Sequence, residues 1–508
     1  MQELAKRASE AVGMKLGLSK CAVAHHQRGS IGGQLTDHGQ MRVATNTSPY
    51  VYLGIEQVIR PTAAAMFERL RKEYKKRLNK IWGSELNGKH KIRATNVWAV
   101  SLFRYYFSNL RFTVRQCAEL DKLTRRIMRL HKSLHYNASI ERLYLPRQEG
   151  GRGLMSLRHV WEKEVVSIAA YVARTEVEII FQVKRNWLRR QRTKIGQKIS
   201  MLKTASEILE RYDLPPLDGP EHEFPESFGK ALGKAQMKEL TRDLCAKKIH
   251  PVFYNQCQKP GYDFHRSHYW LRDGRVQSQT EALIIAAQDG VIHTRAYRRR
   301  ILKVNESSHC RLCGRGEETL GHLLAHCKNL SWTLYKRRHD RVLYQVVLCI
   351  AKLLELTIPK HLHWSVTGWA GVGVIENDQA KLTIDISKPT IETMSERRPD
   401  LIVELKSQKR ILIVEIACAW DPLVPERERE KRAKYSALAK DLANQNPGHQ
   451  VEVLTFVFGD LGSIGTLRAE LSKSKLFSPT ECTDLIRNCQ REVLCAAVRI
   501  IRSTLAKP

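Results

Sequence analysis

The stretch Arg397-Arg398-Pro399-Asp400 through Asp421, RRPDLIVELKSQKRILIVEIACAWD, decides how the rest of the chain is read. Leu401 to Leu405 is an apolar-rich run, Lys406-Ser407-Gln408-Lys409 a polar turn, and Arg410 to Cys418 a second and strongly apolar run. Two such runs around a short polar turn predict an antiparallel hairpin. If Leu405 and Arg410 close the loop, the register sets Asp400 opposite Glu415. Directly opposed Cβ atoms lie roughly 4.5–5.5 Å apart, close enough for two carboxylates to share one hard divalent cation. A slip of one residue would send them to opposite faces, so this expectation requires an unbroken ladder. A strand-end turn after proline would equally account for Asp400, and a solvent-facing charge for Glu415. The apolar neighbours Ile411 to Val414 and Ile416 to Cys418 predict burial of Glu415, and a buried carboxylate needs a partner.

At 508 residues the chain exceeds what one hydrophobic core usually serves. Lys and Arg number 85 against 52 Asp and Glu, a net charge of +33, so a polyanion is the default partner over a merely soluble basic surface. No apolar run of 18 residues occurs, which argues against a membrane span. The first residues, MQELAKRASEAVGMKLG, are amphipathic and lack the long apolar core of a secretory signal. Most of the 12 cysteines are scattered singly, as in a reduced compartment, and no small-molecule site is evident.

One cysteine cluster stands apart. Cys310, Cys313, His322 and Cys327 form C-x2-C-x8-H-x4-C, a ligand set for tetrahedral zinc, with Gly314 easing the turn between the thiolates. Helical character over Thr319 to Asn329 makes His326 a rival fourth ligand, because His322 and His326 are spaced i,i+4 and His322 and Cys327 i,i+5. With four protein ligands the ion would be structural.

The N-terminal portion reads as follows. Met1 to Gly17 predicts a helix, Leu18 to Ala24 a strand, Gly29 to Asn46 a loop and Val51 to Ile55 a second strand. Residues 61–180 predict helices, with Arg71, Lys72, Lys75 and Lys76 on a basic stripe and Tyr144 to Leu154 a Pro/Gly loop. Further basic clusters occur at Arg189 and Arg190 and at Arg298, Arg299 and Arg300, all candidate nucleic-acid contacts. Leu214 to Pro220 is a candidate linker, Lys230 to Lys248 a helix, Trp270 to Gly274 a turn and Gln279 to Gln288 an apolar helix. After a basic helical stretch from Tyr335 to Leu356 the pattern becomes α/β: a strand at Ala380 to Ile386, the hairpin, a helix over Pro425 to Asn444, a strand at Gln450 to Phe458 and a tight turn at Gly459 to Ser463.

These features together resemble non-LTR retrotransposon proteins of the site-specific, restriction-like-endonuclease class. GMKLGLSKC followed by SPYVYLGI resembles the end of the reverse transcriptase palm leading to the thumb. The cysteine pattern resembles the family's CCHC knuckle, which favours Cys327 over His326. Arg398-Pro399-Asp400, then 14 residues, then Glu415, with Lys431-Arg432-Ala433-Lys434-Tyr435 on the next helix and Gly459 to Gly462 after the last strand, resembles its endonuclease. The resemblance implies a mixed, multidomain fold. Its parts would be a palm remnant (1–60), a mostly α-helical thumb-like region (61–180), a basic helical linker (181–305), a zinc knuckle (306–330), a helical connector (331–358), an α/β restriction-endonuclease-like PD-(D/E)xK domain (359–480) and a C-terminal helix (481–508).

It also implies Mg2+ on Asp400 and Glu415, with a lysine beside the scissile phosphate. The usual lysine position, two residues after the second acid, is Ala417. Lys431 and Lys434, at i,i+3, are therefore the candidate catalytic amines. Asp421 is expected in a supporting or loop role, and Asp385 is a further candidate acid. The implied activity is nicking of target DNA for target-primed reverse transcription, acting in the nucleus with element RNA and target DNA as partners. The alternative is a catalytically inactive RNA/DNA-binding fragment. No Asp-Asp dipeptide occurs in the chain, and the fingers and most of the palm would precede Met1. RNA-directed DNA polymerase activity is thus not expected from this chain alone.

Overall fold

The computed structural model describes residues 2–15, 22–23, 26–27, 30–31, 42–43, 50–52, 54–57, 63–191, 200–217, 227–364, 373–390 and 395–506. It is a mixed fold, about 60% helical, with one five-stranded mixed sheet in its C-terminal part. No helix among the described residues is long and apolar enough to cross a membrane.

The first helix spans Gln2–Ala11 and stops earlier than expected, because Gly13 takes a left-handed conformation at φ 75°. Ala22–Val23 pairs in parallel with Arg42–Val43, and His26–Gln27 pairs with Ser30–Ile31, so the predicted 29–46 loop contributes short strands. The rest of the Leu18–Ala24 strand lies outside the described residues. The single strand expected at 51–55 is instead a hairpin, Tyr50–Tyr52 against Ile55–Gln57, turning at Gly54.

The helical region follows from spacing. In the Ala63–Trp82 helix, Phe67, Leu70, Tyr74, Leu78 and Ile81 recur every three or four residues and are buried. Arg71, Lys72, Lys75 and Lys76 fall on the opposite, exposed face. The buried stripe packs with Phe103, Phe107, Leu120 and Trp161 from following helices. Residues 181–305 are not a separate linker. Trp270, Leu271, Ile284 and Ile285 join the same core. WLRDG is the end of a helix, Tyr269–Asp273, terminated by Gly274 at φ 72°, and not a free turn. The Pro/Gly loop is clamped to the Ser278–Gln288 helix by buried pairs, Arg152 to Glu281 at 2.7 Å and Arg147 to Glu281 at 3.0 Å. Arg142 meets Asp289 at 2.8 Å beside them, with both side chains fully buried.

The C-terminal elements are numbered here in chain order. Helix α1 is Lys336–Leu353. The strands of the five-stranded sheet are β1 Gly373–Glu376, β2 Ala380–Ile384, β3 Leu401–Leu405, β4 Arg410–Ala419 and β5 Gln450–Gly459, and Lys388–Thr390 pairs separately with Ser395–Arg397. The remaining helices are α2 Val424–Lys434, α3 Ser436–Gln445, α4 Leu467–Lys473 and α5 Pro479–Leu505. The sheet order is β5-β4-β3-β2-β1. Strands β1 to β4 are antiparallel neighbours, and the β3–β4 register pairs Leu405 with Arg410 as expected. Strand β5 lies parallel to β4, which requires a crossover; α2 and α3 supply it. The one helix predicted over 425–444 is two, broken at Tyr435, whose ring is fully buried at the break. Strand β1 precedes the first strand expected in this unit, Ala380 to Ile386, and adds an edge to the sheet.

Strand β4 is covered on both faces, so its side chains divide by parity. Leu412, Val414 and Ile416 share a core with α1 and α5. Ile413 packs on Tyr435 and Leu438, and Ala417 on Val424, from the crossover side. Glu415 has the parity of Ile413 and Ala417 and so faces α2. Helix α1 is therefore part of the sheet unit and not a connector.

Helix α5 begins with a capping box, Ser478 with Glu481, and Pro479 in its first turn. Far from being an appendage, it enters three cores. Leu485, Ile486 and Val493 join the sheet core, Leu494 and Val498 the N-terminal helices, and Ala497, Ile500 and Ile501 the core under the cysteine cluster. Its buried Gln490 donates to Gly462 O at 2.7 Å and Arg266 O at 3.0 Å and accepts from Trp270 N–H at 3.1 Å. The cysteine cluster also abuts the sheet unit directly: a Cβ on Gly321 would lie 2.9 Å from Trp420.

Candidate active site and metal centre

The cysteine cluster is built on a small hairpin. Cys310 N–H donates to Gly316 O at 3.0 Å, and Gly314 N–H to Cys310 O at 2.8 Å, with both glycines left-handed. Buried Glu318 accepts from the Arg311 backbone and guanidinium and from Arg295 N–H, each at 2.9 Å, and so fixes the loop. The ligand atoms of Cys310, Cys313, His322 and Cys327 all lie within 4.8 Å of one another. Cys310 Sγ is 3.9 Å from Cys327 Sγ, and Cys313 Sγ 3.4 Å from His322 Nε2. Zinc bond lengths in a tetrahedron give edges of about 3.5–3.8 Å. The four residues thus fit a zinc ion. Burial and the adjacent Cys310 push the Cys327 thiol up, a bias that a bound cation reverses.

The choice between His326 and Cys327 falls to Cys327 for a reason in the backbone. His322–His326 is a π-helical turn that ends at Cys327, whose extended backbone takes its thiol out of the helical spacing and against Cys310. His326 is exposed, and Cys327 is buried against Cys310.

Asp400 and Glu415 lie at the end of the β3–β4 hairpin. The ladder stops one pair short of them, at Leu401 and Val414, and the Asp400 side chain extends it. Its Oδ2 accepts from Ile416 N–H at 2.7 Å, and its backbone carbonyl accepts from Asp385 N–H at 3.0 Å. Asp400 Oδ1 lies 3.2 Å from His339 Nε2 of α1, whose Nδ1 is 3.3 Å from Asp340. Glu415 is 3% exposed. Its Oε1 takes Lys431 Nζ at 2.5 Å, with Lys434 Nζ at 3.8 Å. Its Oε2 is buried and takes no hydrogen bond of ordinary geometry among the described residues, although the Tyr435 hydroxyl lies close enough to lower the carboxyl's pKa. Lys434 in turn donates to the Tyr435 hydroxyl, which donates to Arg398 O, both at 2.9 Å.

The two acids are driven apart electrostatically. Burial raises both. For Asp400 this is outweighed by the hydrogen bond and charge of His339, the Ile416 N–H and the charge of Lys431, which hold it below the usual carboxylate range. For Glu415, burial and the nearby charge of Asp400 prevail over Lys431, leaving it above. Burial also lowers His339, but its bonds to Asp340 and Asp400 carry it up to about 10. A buried carboxylate oxygen without an ordinary hydrogen bond, beside a second carboxylate, is a donor set that a hard divalent cation satisfies.

The other expected residues divide. Asp385 is tied to Arg398, 2.8 Å from its Nη2, and is not directed to the acid pair. Asp421 caps the Gly459–Ser463 turn, accepting from Leu461 N–H at 2.9 Å and from Ser463 N–H at 3.1 Å. Arg298 pairs with Glu306 at 3.0 Å and Arg300 with Glu317, so both tie the Arg295–Arg300 helix to the cysteine cluster. Arg299 and Arg189 are exposed, and the Arg190 side chain lies outside the described residues. Arg71 pairs with Glu68 at 3.0 Å, while Lys72, Lys75 and Lys76 form no ion pair among the described residues.

His339 was missed in the sequence. The signal was an adjacent His-Asp inside a basic run, KRRHDR, which reads as solvated surface. Neither models of known families nor curated proteins match this chain.

Proposed function

We propose that the C-terminal unit is a Mg2+-dependent DNA endonuclease of the restriction-like class, the nicking activity of a non-LTR retrotransposon protein. The observation that carries this reading is the buried Asp400–Glu415 pair, with the Lys431 amine against one Glu415 oxygen and the other without a hydrogen bond of ordinary geometry among the described residues. Bound at the two carboxylates, Mg2+ would lower the pKa of an attacking water and offset charge developing on the phosphate. Ile416 N–H and His339 orient Asp400. Lys431 supplies the cation that Ala417 cannot, and is placed to neutralise the scissile phosphate or hold the water. The Lys72–Lys76 stripe and the zinc-type knuckle would hold target DNA and element RNA, and such a reaction takes place in the nucleus.

The test is nicking of supercoiled plasmid with Mg2+ by the full chain. Asp400→Ala and Glu415→Ala are each expected to abolish nicking while DNA binding persists. An unmodified protein that binds DNA but nicks none of a broad set of targets overturns the enzyme and leaves the binding-only alternative.

A further inference from the structure

Trp332 is 86% exposed, more than any other large apolar side chain among the described residues. It does not hang from a loose segment. Its π-helical turn, Ser331–Tyr335, is locked inward by Tyr335, whose hydroxyl accepts from Cys327 N–H at 3.1 Å and donates to Leu323 O at 2.8 Å. One turn earlier Asn329 donates to Leu312 O at 2.5 Å, within the cysteine hairpin. A rigidly held, exposed indole has the character of an interface residue, since tryptophan is enriched where a partner covers its ring.

The position of the turn indicates what does. Helix α1 continues from this turn without interruption, and seven residues beyond Trp332 is His339, in contact with Asp400. Seven residues of helix rise about 10 Å, or roughly three base steps of a nucleic-acid strand at 3.4 Å each. The exposed residues flanking Trp332 in sequence, Lys328, Asn329, Ser331, Thr333 and Lys336, are all polar or basic. A protein-docking site has an apolar centre. A lone indole among polar and basic groups suits a base with its phosphate chain, which needs one flat face and nearby positive charge.

We propose that Trp332 is a stacking platform for an unpaired base of the DNA strand that enters the Asp400–Glu415 site. Its placement beside that site rests on the endonuclease reading; the stacking itself does not. A base in an intact duplex offers no free face, so Trp332 confers a preference for single-stranded or opened DNA.

The experiment uses the full chain with Trp332→Ala and Trp332→Phe, matched to the unmodified protein in circular dichroism and zinc content. Binding of fluorescein-labelled oligo-dT, the duplex of the same length and oligo-U is followed by anisotropy without added Mg2+. Loss of one stacked base is expected to weaken oligo-dT binding by about 5- to 150-fold in Trp332→Ala. Trp332→Phe should stay within roughly threefold, since phenyl retains a stacking face, and duplex binding should not change. Unchanged oligo-dT affinity in Trp332→Ala overturns the proposal, as a protein-docking role for the indole would give. Equal weakening on duplex, or weakening on oligo-U alone, overturns it too. Plasmid nicking by the unmodified chain reports separately on the endonuclease reading.

Discussion

Two lysines one helical turn apart compete for one carboxylate, and the distances rank them. Lys431 contacts Glu415 at 2.5 Å, while Lys434 stands at 3.8 Å and gives its hydrogen bond to Tyr435. Lys431→Ala is expected to lower the plasmid nicking rate by about 10²- to 10³-fold, the usual effect of removing one preorganised cation or donor. Lys434→Ala should cost clearly less, and equal losses would refute the ranking. At Glu415 the sequence was informative because one acid in an apolar run has few bland explanations. At His339 it was not, because the histidine meets Asp400 across 61 positions of chain and no local pattern encodes that meeting.

Among the elements, the cysteine knuckle yields a sharp pair of substitutions. Cys327→Ser is expected to lose zinc, and His326→Ala to retain one zinc per chain, both read by metal analysis of the purified proteins. Loss in both would reinstate the histidine. Spacing alone favours the histidine, since it carries a helix through Cys327, which the chain leaves in an extended conformation. The hairpin was legible because both arms are apolar and the turn is polar. The break at Tyr435 was not, because no Gly or Pro stands near it and the residues on either side are helix formers.

The turn after β5 carries a pH signature. Burial pushes Asp421 up to about 6 against the opposing bonds from Ser463 and Leu461. A carboxyl that holds its proton more tightly when folded stabilises the fold below its ordinary pKa of 3.8, and this is lost as pH rises through about 6. Asp421→Asn lacks that titration. The stability difference between the two proteins in urea melts should therefore shift by about 3 kcal/mol across that window, against Asp421 as pH rises. No shift would mean that the hydrogen bonds from Leu461 and Ser463 fully offset its burial. The same turn admits only glycine at 459, where a Cβ would meet Ser463 Oγ at 2.0 Å and Asp421 Oδ1 at 2.2 Å.

At the scale of the molecule, Gln490 is a single side chain that joins two regions, bonded to Gly462 on the sheet side and to residues 266–270 on the helical side. Gln490→Leu strands several buried partners at about 1–3 kcal/mol each. It is expected to lower the melting temperature of both regions together. If hydrogen exchange rises on one side only, α5 does not couple them. The resemblance implied boundaries at 60, 180, 305, 330, 358 and 480. Packing does not respect those boundaries, because the residues that fuse the units lie on α5 and look, in sequence, like any amphipathic helix.

That helix has a consequence for how the protein comes into being. Translation delivers Pro479–Leu505 after every surface it covers. Domains that complete themselves can fold while the ribosome is still at work. Here the helical core, the knuckle's support and the sheet each wait for the same late segment, with apolar surface open until it arrives. A nascent chain that stops short of Pro479 is left with all three cores unfinished.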